Sequence, residues 1–163
     1  MTRLAERLAA DGWMCRTGGA QGADQAFMRG AGSQLELYLP WPKFNQIDHT
    51  RQVKLTCPNR EAYAIAEAFH PAWQLLEWKA RALLGRDVHQ VLGVQCEEPV
   101  AMVVCWTPDG VTLGEDTTSR TGGTGMAIRI ASRWGVPVRN LKRDDHRTAA
   151  EQYLGQRVAE AGS

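Results

Sequence analysis

The chain has 163 residues, enough for one domain with a sizeable core, and its 19 Lys and Arg against 18 Asp and Glu leave a formal net charge of +1. That balance does not favour a polyanion as the main partner, because a dedicated nucleic-acid binder carries a basic excess or a basic stripe. No run of about 18 apolar residues occurs and Met1–Ala10 lacks the pattern of a secretory leader, so a single cytoplasmic domain over residues 1–163, with no membrane partner, is expected.

Leu4, Ala5, Leu8 and Ala9 recur at helical spacing and predict a helix over Met1–Ala10, ended by Gly12. Trp13–Thr17 reads as a short strand and runs into a glycine turn, GGAQGAD at 18–24. Ala23–Gly30 follows as a helix with Ala23, Ala26 and Phe27 on one face. Leu35–Leu39 alternates as a strand and is stopped by Pro40 and Pro42. Trp41–Arg60 has no clear period and reads as an irregular excursion. Arg60–Phe69 is predicted helical, with Ala62, Ile65, Ala66 and Phe69 inward. Pro71 restarts the chain as a helical first residue. Trp73–Leu84 continues that helix until Gly85 breaks it, ahead of a short helix over Arg86–Leu92.

Val100–Trp106 is almost purely apolar between Pro99 and Pro108, as in a strand buried on both faces. Thr107–Thr121 is polar and mobile by composition. A second glycine turn, GGTG at 122–125, opens a helix from Met126 to Trp134. Gly135 stops it, Val136–Arg139 is the last strand, and Arg147–Ala161 is the last helix. Strands alternating with helices predict an α/β three-layer sandwich with a mostly parallel sheet.

In such sheets ligands bind beyond the carboxyl ends of the strands, where both glycine turns fall. A nucleotide or sugar phosphate between two glycine walls is the favoured reading. Gly18, Gly19 and Gly22 would let backbone N–H groups face a phosphate, with Ala20 and Ala23 too small to intrude. Gly122, Gly123 and Gly125 would form the second cradle, and Thr124 adds a hydroxyl. Asp24 either supplies charge at a helix start, holds the loop, or accepts a ribose hydroxyl; direct contact with a phosphate is disfavoured by like charge. Trp106 and Thr107 cap the buried strand, with Trp106 either stacking on a base or packing under the loop. Trp41 carries the same two readings. Arg120 either adds charge to a bound phosphate or is solvated. Arg81, Arg86 and His89 either surround a pocket mouth or form surface pairs with Asp87 and Glu77. Asp109, Glu115 and Asp116 have no spacing that pairs them for acid–base work. The plain alternative for each glycine turn is a tight strand-to-helix connection without a ligand.

Cys15, Cys57, Cys96 and Cys105 match no zinc or CxxC spacing and read as reduced, mostly buried thiols. His49, His70, His89 and His146 are scattered, and Asp144-Asp145-His146 reads as a solvated turn. No metal and no cofactor is expected.

The series RTGGAQGADQAF, LPW, ARALLGRDVHQVLG, VVCWTPDG and GGTGMAIRIASRWGVPVRNL resembles the SLOG superfamily, which unites the DNA-processing protein DprA/Smf with the Lonely guy (LOG) enzymes. The closest likeness is to small DprA-like proteins of phages and bacteria, over Met1–Leu141. The resemblance implies a Rossmann-like nucleotide-binding fold and a homo-dimer or larger assembly. It also implies two alternative activities: LOG-like hydrolysis of the N-glycosidic bond of a nucleoside 5'-monophosphate, and DprA-like binding of single-stranded DNA in recombination, which the near-neutral charge does not favour. Two departures matter. Relatives begin with a strand ahead of the first helix, so a central first strand is expected to be missing here. The LOG motif P-G-G-x-G-T-x-x-E meets Thr121, Met126 and Arg129 in place of its Pro, Thr and Glu, so the catalytic acid is not expected.

Overall fold

A computed structural model of the chain describes residues 1–156. Among them, helices and strands alternate except where β3 follows β2 and α4 follows α3: α1 (Thr2–Ala10), β1 (Cys15–Thr17), α2 (Ala23–Ala31), β2 (Leu35–Tyr38), β3 (Val53–Leu55), α3 (Arg60–Phe69), α4 (Trp78–Leu92), β4 (Val103–Cys105), α5 (Thr124–Arg133), β5 (Val138–Asn140) and α6 (Asp144–Gly155). Every strand pair is parallel, and the α/β class follows the alternation read from the sequence. The part of the expected last helix from 157 onward lies outside the described residues.

The sheet is not one piece. β1, β2 and β3 form one ladder in that order, and β4 pairs with β5 in another. The break falls between β1 and β4. Helices α1, α2 and α6 pack on one another on one side, and α3, α4 and α5 on the other, which makes three layers. The largest buried cluster joins Ala62 and Ala66 of α3, Val88, Val91 and Leu92 of α4, and Met126 and Ile130 of α5. Leu35, Leu37, Leu39 and Val53 bury the inner face of the first ladder, and Cys105, Ile128, Val136 and Val138 that of the second. Fully burying such a side chain contributes about 1.5–3 kcal/mol, so these three clusters dominate the favourable side of folding. Helix α4 touches β1, β2 and α5 and so bridges the two ladders. Arg16 adds a second bridge: its Nε donates to Glu36 Oε2 at 3.0 Å within the first ladder, and its Nη1 donates to Glu98 O at 2.7 Å, ahead of β4.

Several boundaries differ from expectation for local reasons. Gly85 does not break a helix; it sits inside α4, where an added Cβ would stand 2.9 Å from Pro58 Cβ. It is glycine because α4 meets Pro58 and Tyr63 closely there. The helix expected from Trp73 begins only at Trp78, and Trp73–Leu75 is a single 3-10 turn. The irregular excursion 41–60 contains β3, of whose three residues only Val53 is buried, so no alternation marks it. Asp144-Asp145-His146 forms the first turn of α6, and His146 Nδ1 accepts from the Asn140 N–H at 3.0 Å. All four cysteines are free, with Cys57 exposed.

Candidate functional site

Both glycine turns follow the carboxyl ends of parallel strands and open helices. β1 ends at Thr17 and Gly18–Gly22 leads into α2; β4 ends at Cys105, and Gly122-Gly123 leads into α5. Ala23 and Asp24, at the end of the first turn, line a cavity together with Thr17 and Gln90, whereas Gly18, Gly19 and Gly22 and the second turn do not.

The first turn is held from inside. Asp24 Oδ2 accepts from the N–H groups of Gly18 at 3.2 Å and Ala20 at 3.1 Å, and from Arg86 Nη1 at 3.1 Å. A carboxylate thus stands where the sequence suggested a phosphate, and of the roles open to Asp24, holding the loop is the one these bonds express. Gly18 is glycine because Arg86 lies against it: an added Cβ would fall 1.7 Å from Arg86 Nη1. Gly19 has φ +72 and an added Cβ would fall 2.4 Å from Ile47 Cδ1, so the 41–47 segment covers it. Asn45 Nδ2 fixes that cover by donating to Gly19 O at 2.9 Å. Gly22, the residue before Ala23 and α2, has φ +91 and open space beside it.

Behind this turn lies a buried charged cluster. Arg86, whose side chain is 7% exposed, also pairs through Nη2 with Asp87 Oδ1 at 3.1 Å. The Gln90 amide, oriented to suit its neighbours, donates to Asp87 Oδ1 and accepts from Gly18 N. Burial pushes the Asp87 carboxyl up to about 7; Arg86 opposes that rise and the Asp24 charge adds to it. The expected surface pairing of Arg86 with Asp87 is therefore a buried one. His89 is not at a pocket mouth. Its Nε2 accepts from Asn59 N at 3.2 Å, so Nδ1 carries the proton toward Gly93 O at 2.8 Å, and its ring stacks on Tyr38. Burial lowers its pKa against the opposing effect of the Gly93 bond, consistent with a neutral structural imidazole. Arg81 lies over Trp73 and donates to Gln74 O.

The second turn is open. Nothing lies within 4 Å of a Cβ added at Gly122 or Gly123, while Gly125 packs near Thr121 and Thr117. Gly125 N donates to Gly122 O and Met126 N to Gly123 O. The N–H groups of Gly123 and Thr124 have no protein acceptor among the described residues, as expected of helix N-terminal donors. Arg120 is exposed beside them. The segment 107–121, expected to be mobile, is tied down. Asp109 Oδ1 accepts from Thr107 Oγ1 at 2.7 Å and Oδ2 from Thr121 Oγ1 at 2.6 Å, which joins the end of β4 to the glycine turn. The Thr121 hydroxyl does most to lower the Asp109 pKa, and the Thr107 hydroxyl adds to it. Asn140, fully buried, receives Thr107 N and donates to Thr107 Oγ1 and Val111 O. Thr107 is thus buried and fully engaged, whereas Trp106 beside it is 47% exposed. Trp41 meets Phe44 and Trp78 edge-on. Arg129 donates to Thr117 Oγ1 and Phe69 O and is a strut for the loop.

Sequence reasoning passed over Gln90 and Asn140, gave Asp87 only a surface pair and gave Asp109 no role. For Gln90 the available signal was its place one turn after Arg86-Asp87 on α4. Comparison with protein-family models, curated proteins and solved structures returns no match for this chain. No helix among the described residues is long and apolar enough to cross a membrane.

Proposed function

We propose that this chain binds a nucleotide or nucleotide-derived phosphate at the carboxyl edge of its strands, with the phosphate at the start of α5. The observation that carries the reading is the open second turn: N–H groups at Gly123 and Thr124 without an acceptor among the described residues, a positive helix end and no Cβ in the way. The first turn, latched by Asp24, serves as a pre-formed wall for the sugar rather than as a second phosphate seat. The buried Arg86–Asp87 pair behind it supports a functional role, since ionisable groups held in burial cluster at sites. A LOG-like hydrolase is the less supported reading, because Arg129 is committed to the loop.

Calorimetric titration with adenosine monophosphate, ribose 5-phosphate and a single-stranded oligonucleotide tests this. Gly123→Val points its branch into open space, so the fold is kept while the phosphate seat is filled. The expected result is saturable binding of the mononucleotide, weakened at least about tenfold in the variant, with no free adenine released. Unchanged affinity in folded Gly123→Val refutes the seat, oligonucleotide binding alone favours the DNA partner, and adenine release restores the hydrolase.

A further inference from the structure

The segment between β2 and β3 is held over the first glycine turn against the preference of its own backbone. Residues 41–47 follow the buried Pro40 and contain one 3-10 turn, Phe44–Gln46. Among the described residues four other than glycine have a positive φ, and three of them are here: Lys43 (+59), Asn45 (+49) and Gln46 (+63). Asparagine tolerates that region, whereas the Cβ of lysine or glutamine crowds the backbone there. Such strain persists only where the surroundings impose it. Two contacts do so. Phe44 and Ile47 pack, half-buried, on the cluster of Leu35, Leu37, Leu39 and Val53. Trp41 rests edge-on against Trp78 at 5.5 Å between ring centres, with Lys79 Nζ over both rings.

Among the described residues, one hydrogen bond ties this segment to what it covers, from Asn45 Nδ2 to Gly19 O. The others, Phe44 N to Trp41 O, Gln46 N to Lys43 O and Ile47 N to Phe44 O, close the segment on itself. Ile47 Cδ1 fills the space beside the bare Gly19 Cα, where a Cβ would stand only 2.4 Å away. Beneath the cover the N–H groups of Gly19, Gln21 and Gly22 have no acceptor among the described residues. The Asp24 charge against the turn disfavours an anion there. A bared turn therefore offers one carbonyl acceptor and several N–H donors without positive charge, which suits the neutral hydroxyls of a sugar.

We propose that residues 41–47 are a lid over the first glycine turn, latched by Asn45 and released when a sugar hydroxyl of the ligand takes the place of its amide on Gly19 O. The lid rests on the nucleotide reading above and adds to it the step that admits the sugar. Asn45→Gly removes the latch donor and suits φ +49, and Trp78→Ala removes the outer rest of the lid at a side chain 63% exposed, so both keep the fold. Amide exchange in the full chain is followed by NMR at Gln46 and Ile47, whose bonds close the 3-10 turn, and at Leu37 and Leu39, which bond to Gln52 O and Leu55 O. Adenosine monophosphate affinity is measured by calorimetry on the same samples. Local exchange and apparent affinity both scale with the open fraction, so Asn45→Gly is expected to speed exchange at Gln46 and Ile47 by about tenfold and to tighten the nucleotide by the same factor. Leu37 and Leu39 stay as they were, and Trp78→Ala moves both readings the same way. Unchanged exchange at Gln46 and Ile47 in both variants refutes the latch. Faster exchange with unchanged or weaker nucleotide binding refutes the lid as a gate and leaves the nucleotide site standing. No binding by any of the three chains refutes the nucleotide reading and, with it, the gate.

Discussion

Removing the Asp24 carboxylate should unlatch the first glycine turn, and the size of the effect follows from its contacts. Asp24→Ala deletes the acceptor of two backbone N–H groups and one partner of Arg86. Hydrogen bonds to a charged group contribute about 1.5–3 kcal/mol each, but here all three donors share one oxygen, Oδ2, on a side chain 22% exposed. Arg86 keeps Asp87, so the cost of about 3–5 kcal/mol for orphaning a buried charge is not reached. A loss of about 3 kcal/mol is expected, which for a chain of this size lowers Tm by about 6–12 °C. Asp24→Asn keeps one oxygen acceptor and should lose about half as much. Urea unfolding followed by tryptophan fluorescence measures both. A loss below about 0.5 kcal/mol for Asp24→Ala would show that the loop is held by something else and that its bonds to Asp24 follow from the fold without fixing it.

Two further outcomes are expected. Gly18→Ala should destabilise by about 1–3 kcal/mol through overpacking, because its Cβ must displace Arg86, whereas Gly22→Ala meets no neighbour and pays only for its positive φ; equal losses in urea unfolding would remove Arg86 from the explanation. Asp87 has a folded pKa raised to about 7, so its favourable contribution is full below its ordinary value near 3.8 and is lost as the pH rises through about 7. Stability should therefore fall across that window in the native chain, and Asp87→Asn should flatten the fall; an identical pH profile in the variant would refute the burial of an ionisable Asp87.

Local pattern carried most of the elements and little of the site. The helices α3 and α5 have apolar residues at helical spacing, and the structure places them close to where that spacing ends. β3 was hidden because one buried residue in three leaves no period. Gly85 was misread because its reason is Pro58, a contact between α3's approach and α4 that no local pattern encodes. The division of the sheet between β1 and β4 has no local signature, since ladder continuity is a property of neighbours distant in sequence. Among site residues, the loop-holding role of Asp24 was one of several open readings, and its partner Arg86 lies 62 positions away. Asp109 looked idle because its partners are hydroxyls on the two ends of its own loop, and a Thr spaced 2 or 12 residues from an Asp forms no recognisable pattern.

The absence of a backbone ladder between β1 and β4 has a mechanical meaning. Within each ladder, displacement is stepwise: a strand that slips must move by whole residues and turn its side chains over. Between the ladders the ties include the side chain of Arg16, the packed flank of α4 and the contact of α1 with α6, where the Tyr153 hydroxyl donates to Asp11, and none of these fixes a backbone register. The two glycine turns sit on opposite leaves, so the span from one turn to the other is set by side-chain packing and not by a shared backbone ladder.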